Sequence, residues 1–183
     1  MKLTWLKLLC AVTLITAAAQ AQLAVYGKVD LTHYNDSSSN TSIWFRGGGV
    51  GIYDDFIHLG PVRAGLDLRG DLGAGDQYQY HSALVGVRVA VKAPILPFKP
   101  YVQASVGAGG SKYTGATAPD ITPRFSGKLL WELLGGLDWT VFPHVDFRVI
   151  EVGFGKQSSE TGANYASGPT LVLVSSGLVF RFR

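Results

Sequence analysis

Between residues 62 and 71 the chain alternates apolar and polar side chains without a break. Val62, Ala64, Leu66 and Leu68 fall on one parity, and Arg63, Gly65, Asp67, Arg69 and Asp71 on the other. Successive side chains of a β-strand point to opposite faces. A strand here therefore has one apolar face and one face carrying four charges. The same period recurs along the chain. Residues 78–93 set Ala83, Val85, Val87, Val89 and Val91 against Gly86, Arg88, Ala90 and Lys92. Residues 22–33 set Leu23, Val25, Val29 and Leu31 against Tyr26, Lys28, Asp30 and Thr32. Residues 98–111 set Val102, Ala104, Val106 and Ala108 against Gln103, Ser105 and Gly107. Residues 128–141 set Leu133, Leu137, Trp139 and Val141 against Glu132, Gly136, Asp138 and Thr140. Three further segments are less regular. In 42–54 the triplet Gly47-Gly48-Gly49 blurs the phase, and Arg46 is the inward charge expected. In 144–156 the phase slips near Val149-Ile150, so Asp146 and Arg148 share a parity that Glu151 does not. In 170–182 it slips around Ser175-Ser176-Gly177. A β-bulge shifts a strand by one residue in this way. With 61–72, these segments make eight strands and an all-β chain.

Two architectures accept such strands. A soluble barrel or sandwich turns the apolar face inward to a core. A membrane barrel turns it outward to lipid and lines its interior with the polar face. Alternation alone does not separate them, and the connections do. Those after strands 1, 3, 5 and 7 are polar: 34–41, 73–77, 112–127 through Thr117-Ala118-Pro119-Asp120, and 157–169 through Glu160-Thr161-Gly162. Those after strands 2, 4 and 6 are tight and rich in Pro and apolar residues: 55–60, 94–97 and 142–144. Short periplasmic turns alternating with longer extracellular loops is the membrane-barrel rule. Aromatics sit where interfacial girdles belong. Phe98, Tyr101, Trp139, Phe142, Phe180 and Phe182 fall near the short turns; Tyr34, Trp44, Tyr78, Tyr80, Tyr113 and Trp131 fall near the loops.

The N-terminus agrees. Lys2 and Lys7, the apolar run Leu8–Ile15 and the small-residue pattern Ala19-Gln20-Ala21 read as a secretory signal peptide over 1–21, cleaved near Ala21. The apolar run is far shorter than the ~20 residues of a spanning helix. The single cysteine, Cys10, leaves with it, so the mature chain has no disulfide and no thiolate chemistry. Losing Lys2 and Lys7 brings 16 basic residues to 14, against 13 acidic ones. Nothing in that balance suggests a nucleic-acid partner. Residues 22–183 are then one outer-membrane barrel domain.

Several segments carry a family resemblance. Pro100-Tyr101-Val102-Gln103-Ala104-Ser105-Val106-Gly107-Ala108-Gly109 resembles the proline-led fifth strand of the small, eight-stranded outer-membrane β-barrel proteins. So does Leu134-Gly135-Gly136-Leu137-Asp138-Trp139, running through Pro143 into Val145–Glu151. The resemblance implies an antiparallel up-and-down transmembrane barrel without a peptidoglycan-binding domain. It also implies that Leu178, Phe180 and Phe182 form the C-terminal signal read by the barrel-assembly machinery, with outer-membrane lipid and lipopolysaccharide as surroundings and a monomeric state.

Eight strands leave an interior just wide enough for side chains to fill it. The set expected there is Lys28, Arg46, Arg63, Arg69, Arg88, Lys92 and Arg148 with Asp30, Asp67, Asp71, Glu132, Asp138, Asp146 and Glu151, seven cations and seven anions. Paired charges can be buried, so the expectation is an ion network and no large aqueous pore. The role that follows is non-enzymatic: envelope integrity, or surface interaction through the loops. Two alternatives stand beside it. One is a lipid A-modifying enzyme, with His33 and His81 near the loop rim and Asp36, Ser82 and Glu160 as neighbours. His81 and Ser82 are adjacent, so a strand points them to opposite faces. The other is a soluble periplasmic barrel that binds a small apolar ligand. Four scattered histidines without cysteines or an H-E-x-x-H motif give no metal site, and no cofactor is expected.

Overall fold

A sheet of such strands that stayed open would leave unpaired backbone groups along two edges; closure removes them. The computed structural model is closed in this way. It describes residues 22–37, 40–92, 95–114, 127–158 and 168–182. The strands are β1 (Gln22–Asp36), β2 (Thr41–Leu59), β3 (Val62–Gly75), β4 (Tyr78–Val91), β5 (Phe98–Tyr113), β6 (Lys128–Phe142), β7 (Val145–Gln157) and β8 (Thr170–Arg181). Each pairs antiparallel with the next, and β1 pairs with β8 to close the barrel. The expected signal peptide at 1–21, residues 115–126 of one long loop and 159–167 of the other lie outside the described residues.

The outer wall is apolar. Val29, Val50, Leu68, Leu72, Val87 and Val102 are each more than half exposed there. The opposite parity is buried. Several strands run longer than the alternation indicates. β2 continues through Asp55 to Leu59, so its turn to β3 shrinks to Gly60-Pro61, with Gly60 at φ +62°. Glycine reaches that left-handed region without steric cost. The β3–β4 connection is likewise reduced to Asp76-Gln77.

The glycine triplet breaks nothing. Ile43, Phe45, Gly47, Gly49, Gly51 and Tyr53 keep one inward phase along β2. Arg46 therefore shares the outward parity of Trp44 and is exposed, which corrects its expected place inside. The slip in β7 is real. Arg148 pairs with Gly177 and Glu151 with Ser175, so Val149 and Ile150 together face Ser176. Both bulged residues point outward, and Asp146, Arg148 and Glu151 all end up inside. The slip expected in β8 does not occur. Leu171, Leu173, Ser175 and Val179 hold one buried phase, because β7 absorbs the extra residue alone.

The interior is not polar throughout. In its loop-side half Tyr34, Ile43, Phe45, Tyr80, Leu84, Leu130 and Leu171 form a buried apolar cluster. Phe45 packs on Tyr80 with ring centres 5.6 Å apart and meets the edge of Tyr34 at 6.1 Å. Tyr34 and Tyr80 thus belong to the lumen and not to a girdle, as does Tyr101. Phe98, Trp139, Phe142, Phe180, Phe182, Trp44 and Tyr113 do stand exposed on the outer wall.

Candidate functional site

Below the apolar cluster the lumen holds a connected ion network with Glu151 at its centre. The β7 bulge turns Glu151 inward. Its carboxylate accepts from Lys28 Nζ at 3.3 Å, Arg69 Nη1 at 3.1 Å and Arg148 Nη1 at 3.2 Å. The Tyr101 hydroxyl donates to it at 2.6 Å and the Ser175 hydroxyl at 3.1 Å. Five donors from β1, β3, β5, β7 and β8 thereby converge on one side chain. Hydrogen bonds to charged groups are about twice as strong as neutral ones, and here they join opposite walls.

Three further carboxylates extend the network. Asp138 accepts from Arg88 Nη2 at 2.7 Å and from Arg148 Nε at 3.0 Å. Asp67 accepts from Arg69 Nε at 3.1 Å, Tyr26 at 2.9 Å and Gln103 at 2.8 Å. Asp71 pairs with Lys28 at 3.0 Å and accepts from Ser82 at 3.2 Å. The guanidinium of Arg88 lies between the faces of Tyr53, at 4.2 Å, and Tyr101, at 3.7 Å. Such stacking holds a cation with little hydration.

Of the expected interior charges, Lys28, Asp67, Arg69, Asp71, Arg88, Glu132, Asp138, Asp146, Arg148 and Glu151 are buried in the lumen. Asp30 and Arg63 are half-buried, Lys92 sits at the turn-side end just past β4, and Arg46 is outside. Alternation overlooks Lys99 and Arg181, which both pair with Asp146, at 2.7 and 3.0 Å. Their parity with Tyr101 and Val179 places them inside; the supposed slip in β8 hides Arg181. It also overlooks Tyr101, read as girdle from its ring, although its hydroxyl, like that of Tyr26, serves the network.

The rings need room, and glycines across the strand supply it. Tyr26 faces Gly51 and Tyr101 faces Gly136. A Cβ at either glycine would run into the tyrosine ring. This is the pairing of an aromatic laid over a cross-strand glycine.

No protein-family model matches the chain, and no curated protein sequence matches it. Solved structures do. Neisserial surface protein A matches with a TM-score of 0.64 at 13% identity, over 88% of this chain and 99% of that one. Ail of Yersinia pestis, solved with the heparin analogue sucrose octasulfate, matches with a TM-score of 0.55 at 11% identity, over 88% and 99%. The outer membrane enzyme PagL matches with a TM-score of 0.55 at 12% identity, over 82% and 97%. The fold is that of a small, eight-stranded transmembrane β-barrel. Identities this low carry the fold and leave the activity open. Each strand of this barrel, at 12 to 19 residues, exceeds the ~9–11 a tilted membrane strand needs.

At the loop-side rim a histidine and a serine come together. His33 and Ser42 meet across β1 and β2, His33 Nε2 to Ser42 Oγ at 2.9 Å. The imidazole rests on Trp44, ring centres 4.6 Å apart. Ser82 points inward to Asp71, away from His81, and Glu160 lies outside the described residues.

Proposed function

We propose that this protein is a non-enzymatic barrel of the outer membrane, exported by the segment 1–21, that supports envelope integrity or presents its extracellular loops for surface interaction. The observation that carries the proposal is the packed lumen. Arg88, Arg148, Tyr26, Phe45, Leu84, Leu130 and Glu151 are fully buried side chains filling the barrel from wall to wall. A wall so filled suits a rigid scaffold, and rigid scaffolds carry function on their loops. Leu178 and Phe180 stand on the outer face of β8 with Phe182 just beyond, where an assembly machine can read them from the lipid side. Outer-membrane lipid and lipopolysaccharide are the partners of the apolar wall.

The test is a deletion strain challenged with a large antibiotic or with detergent. Complementation with the whole protein should restore resistance. A variant with 112–127 and 157–169 shortened to tight turns should also restore it if the barrel itself serves integrity, and should fail if the loops do. No defect in the deletion strain, with no surface partner lost, would sink both roles.

One contact favours a second reading. Ser42 and His33 form a nucleophile–base pair by distance, at the rim where outer-leaflet lipid esters lie. An acyl-ester hydrolase would alter lipid A mass spectra when the protein is expressed, and Ser42→Ala would abolish the change. Identical spectra with and without the protein would remove this reading.

A further inference from the structure

The interior charges are nearly balanced in number but not in space. Around Lys28, in the middle of the barrel, gather Asp30, Asp71, Glu132 and Glu151. Toward the short turns the sign reverses. A small chamber there is lined by Arg63, Arg88, Lys92, Lys99 and Arg181, with Asp55 as the one carboxylate among its described lining residues. The nearby carboxylates are already shared. Asp146 serves both Lys99 and Arg181, and Asp138 serves both Arg88 and Arg148. The chamber itself sets five cations around Asp55, with Asp138 and Asp146 shared just beyond it.

Arg88 matters most. It is 1% exposed, and its Nε and Nη1 have no hydrogen-bond partner among the described residues. Tyr53 and Tyr101 clamp its guanidinium from two sides, so it cannot swing out to water. Arg63 Nε is buried and likewise without a hydrogen-bond partner among the described residues. Surplus positive charge in a low-dielectric mouth draws a counter-ion. Buried N–H donors left unmade are costly. The chamber has room for one particle of about the size of water, about 20 Å³.

We propose that the turn-side mouth of the barrel is a binding site for one halide-sized inorganic anion, held by Arg88 and Arg63 with Lys92 and Lys99 around it. The ion would tie together the ends of β2, β3, β4, β5 and β8, where the turns are shortest. This goes beyond the scaffold reading and does not depend on which role the loops play.

The test uses the full folded chain in detergent. Crystals soaked in sodium bromide should show an anomalous peak in the chamber. In solution, sodium chloride should raise the unfolding midpoint above that in sodium gluconate at equal ionic strength. Arg63→Gln and Lys92→Gln should each weaken chloride binding about tenfold, the effect of removing one nearby charge at an intermediate dielectric. Lys92 lies at the mouth, beyond β4, so its variant carries the test if Arg63→Gln does not fold. Equal midpoints in the two salts would overturn the site. So would bromide found solely on the outer wall, an adventitious ion only.

Discussion

Glu151 is the residue on which most of the lumen depends, because three cations and two hydroxyls share its two oxygens. Removing one partner of a buried ion pair leaves an uncompensated charge and costs about 3–5 kcal/mol. Glu151→Ala takes one partner from each of Lys28, Arg69 and Arg148, which keep Asp71, Asp67 and Asp138, so a loss within that range is expected in urea titrations of the protein folded into lipid vesicles. Gly136 tests the same network from the wall. A methyl group there collides with Tyr101, and overpacking costs about 1–3 kcal/mol. Gly136→Ala should therefore destabilise, while Gly135→Ala, where a Cβ meets nothing within 4 Å, should not. Much of this was visible in the order of residues. Asp67, Arg69, Asp71 and Arg88 stand on a strict parity, and parity is all that facing requires. The tyrosines were harder to read. Tyr26 shares the parity of Lys28, but Tyr101 suits either an interface or a packed lumen, and its cross-strand Gly136 settles the matter only once register is known.

At the scale of the strand, facing is the claim at issue. Val87 lies mid-β4, 55% exposed on the outer wall. Val87→Arg should cost about 2–4 kcal/mol in a bilayer, the price of a cation on the lipid face at the midplane. Unchanged stability in the vesicle titration would mean that this face does not meet hydrocarbon. Arg46 makes the opposite case. It is exposed on the outer wall but near the loop end of β2, where the penalty falls to about 0–1 kcal/mol. Arg46→Leu should leave stability nearly unchanged. The triplet Gly47-Gly48-Gly49 obscured this, since glycines have no polarity with which to mark a phase. The β7 bulge was legible because charged residues flank it, and a charge of the wrong parity needs a reason. The β8 slip was inferred from serines and a glycine, which either face tolerates. Strand ends were the least legible. Asp55 and His58 look like turn residues, yet Asp55 pairs with Gln22 of β1, and His58 pairs with Arg63 of β3 past the irregularity between Asp54 and Ile57.

The whole molecule combines an apolar outer wall, an apolar plug toward the loops and an ion network below it. Every strand is paired on both sides, which hydrocarbon demands of any spanning sheet. With the lumen filled, planar bilayers should show no conductance of general-porin size, and large stable channels would contradict the packing. The apolar plug could not be read from the sequence. Leu84, Leu130 and Leu171 sit beside outward-facing apolar residues, and only closure of the barrel distinguishes the two sides. The measurement that tests the central claim most directly is electrophoretic mobility of the outer-membrane fraction in mild detergent, unboiled against boiled. A compact, fast-migrating form in the unboiled sample that slows on boiling is the result expected of a closed barrel with its apolar face to lipid. A single mobility under both conditions, with the protein recovered in the soluble periplasm, would contradict it.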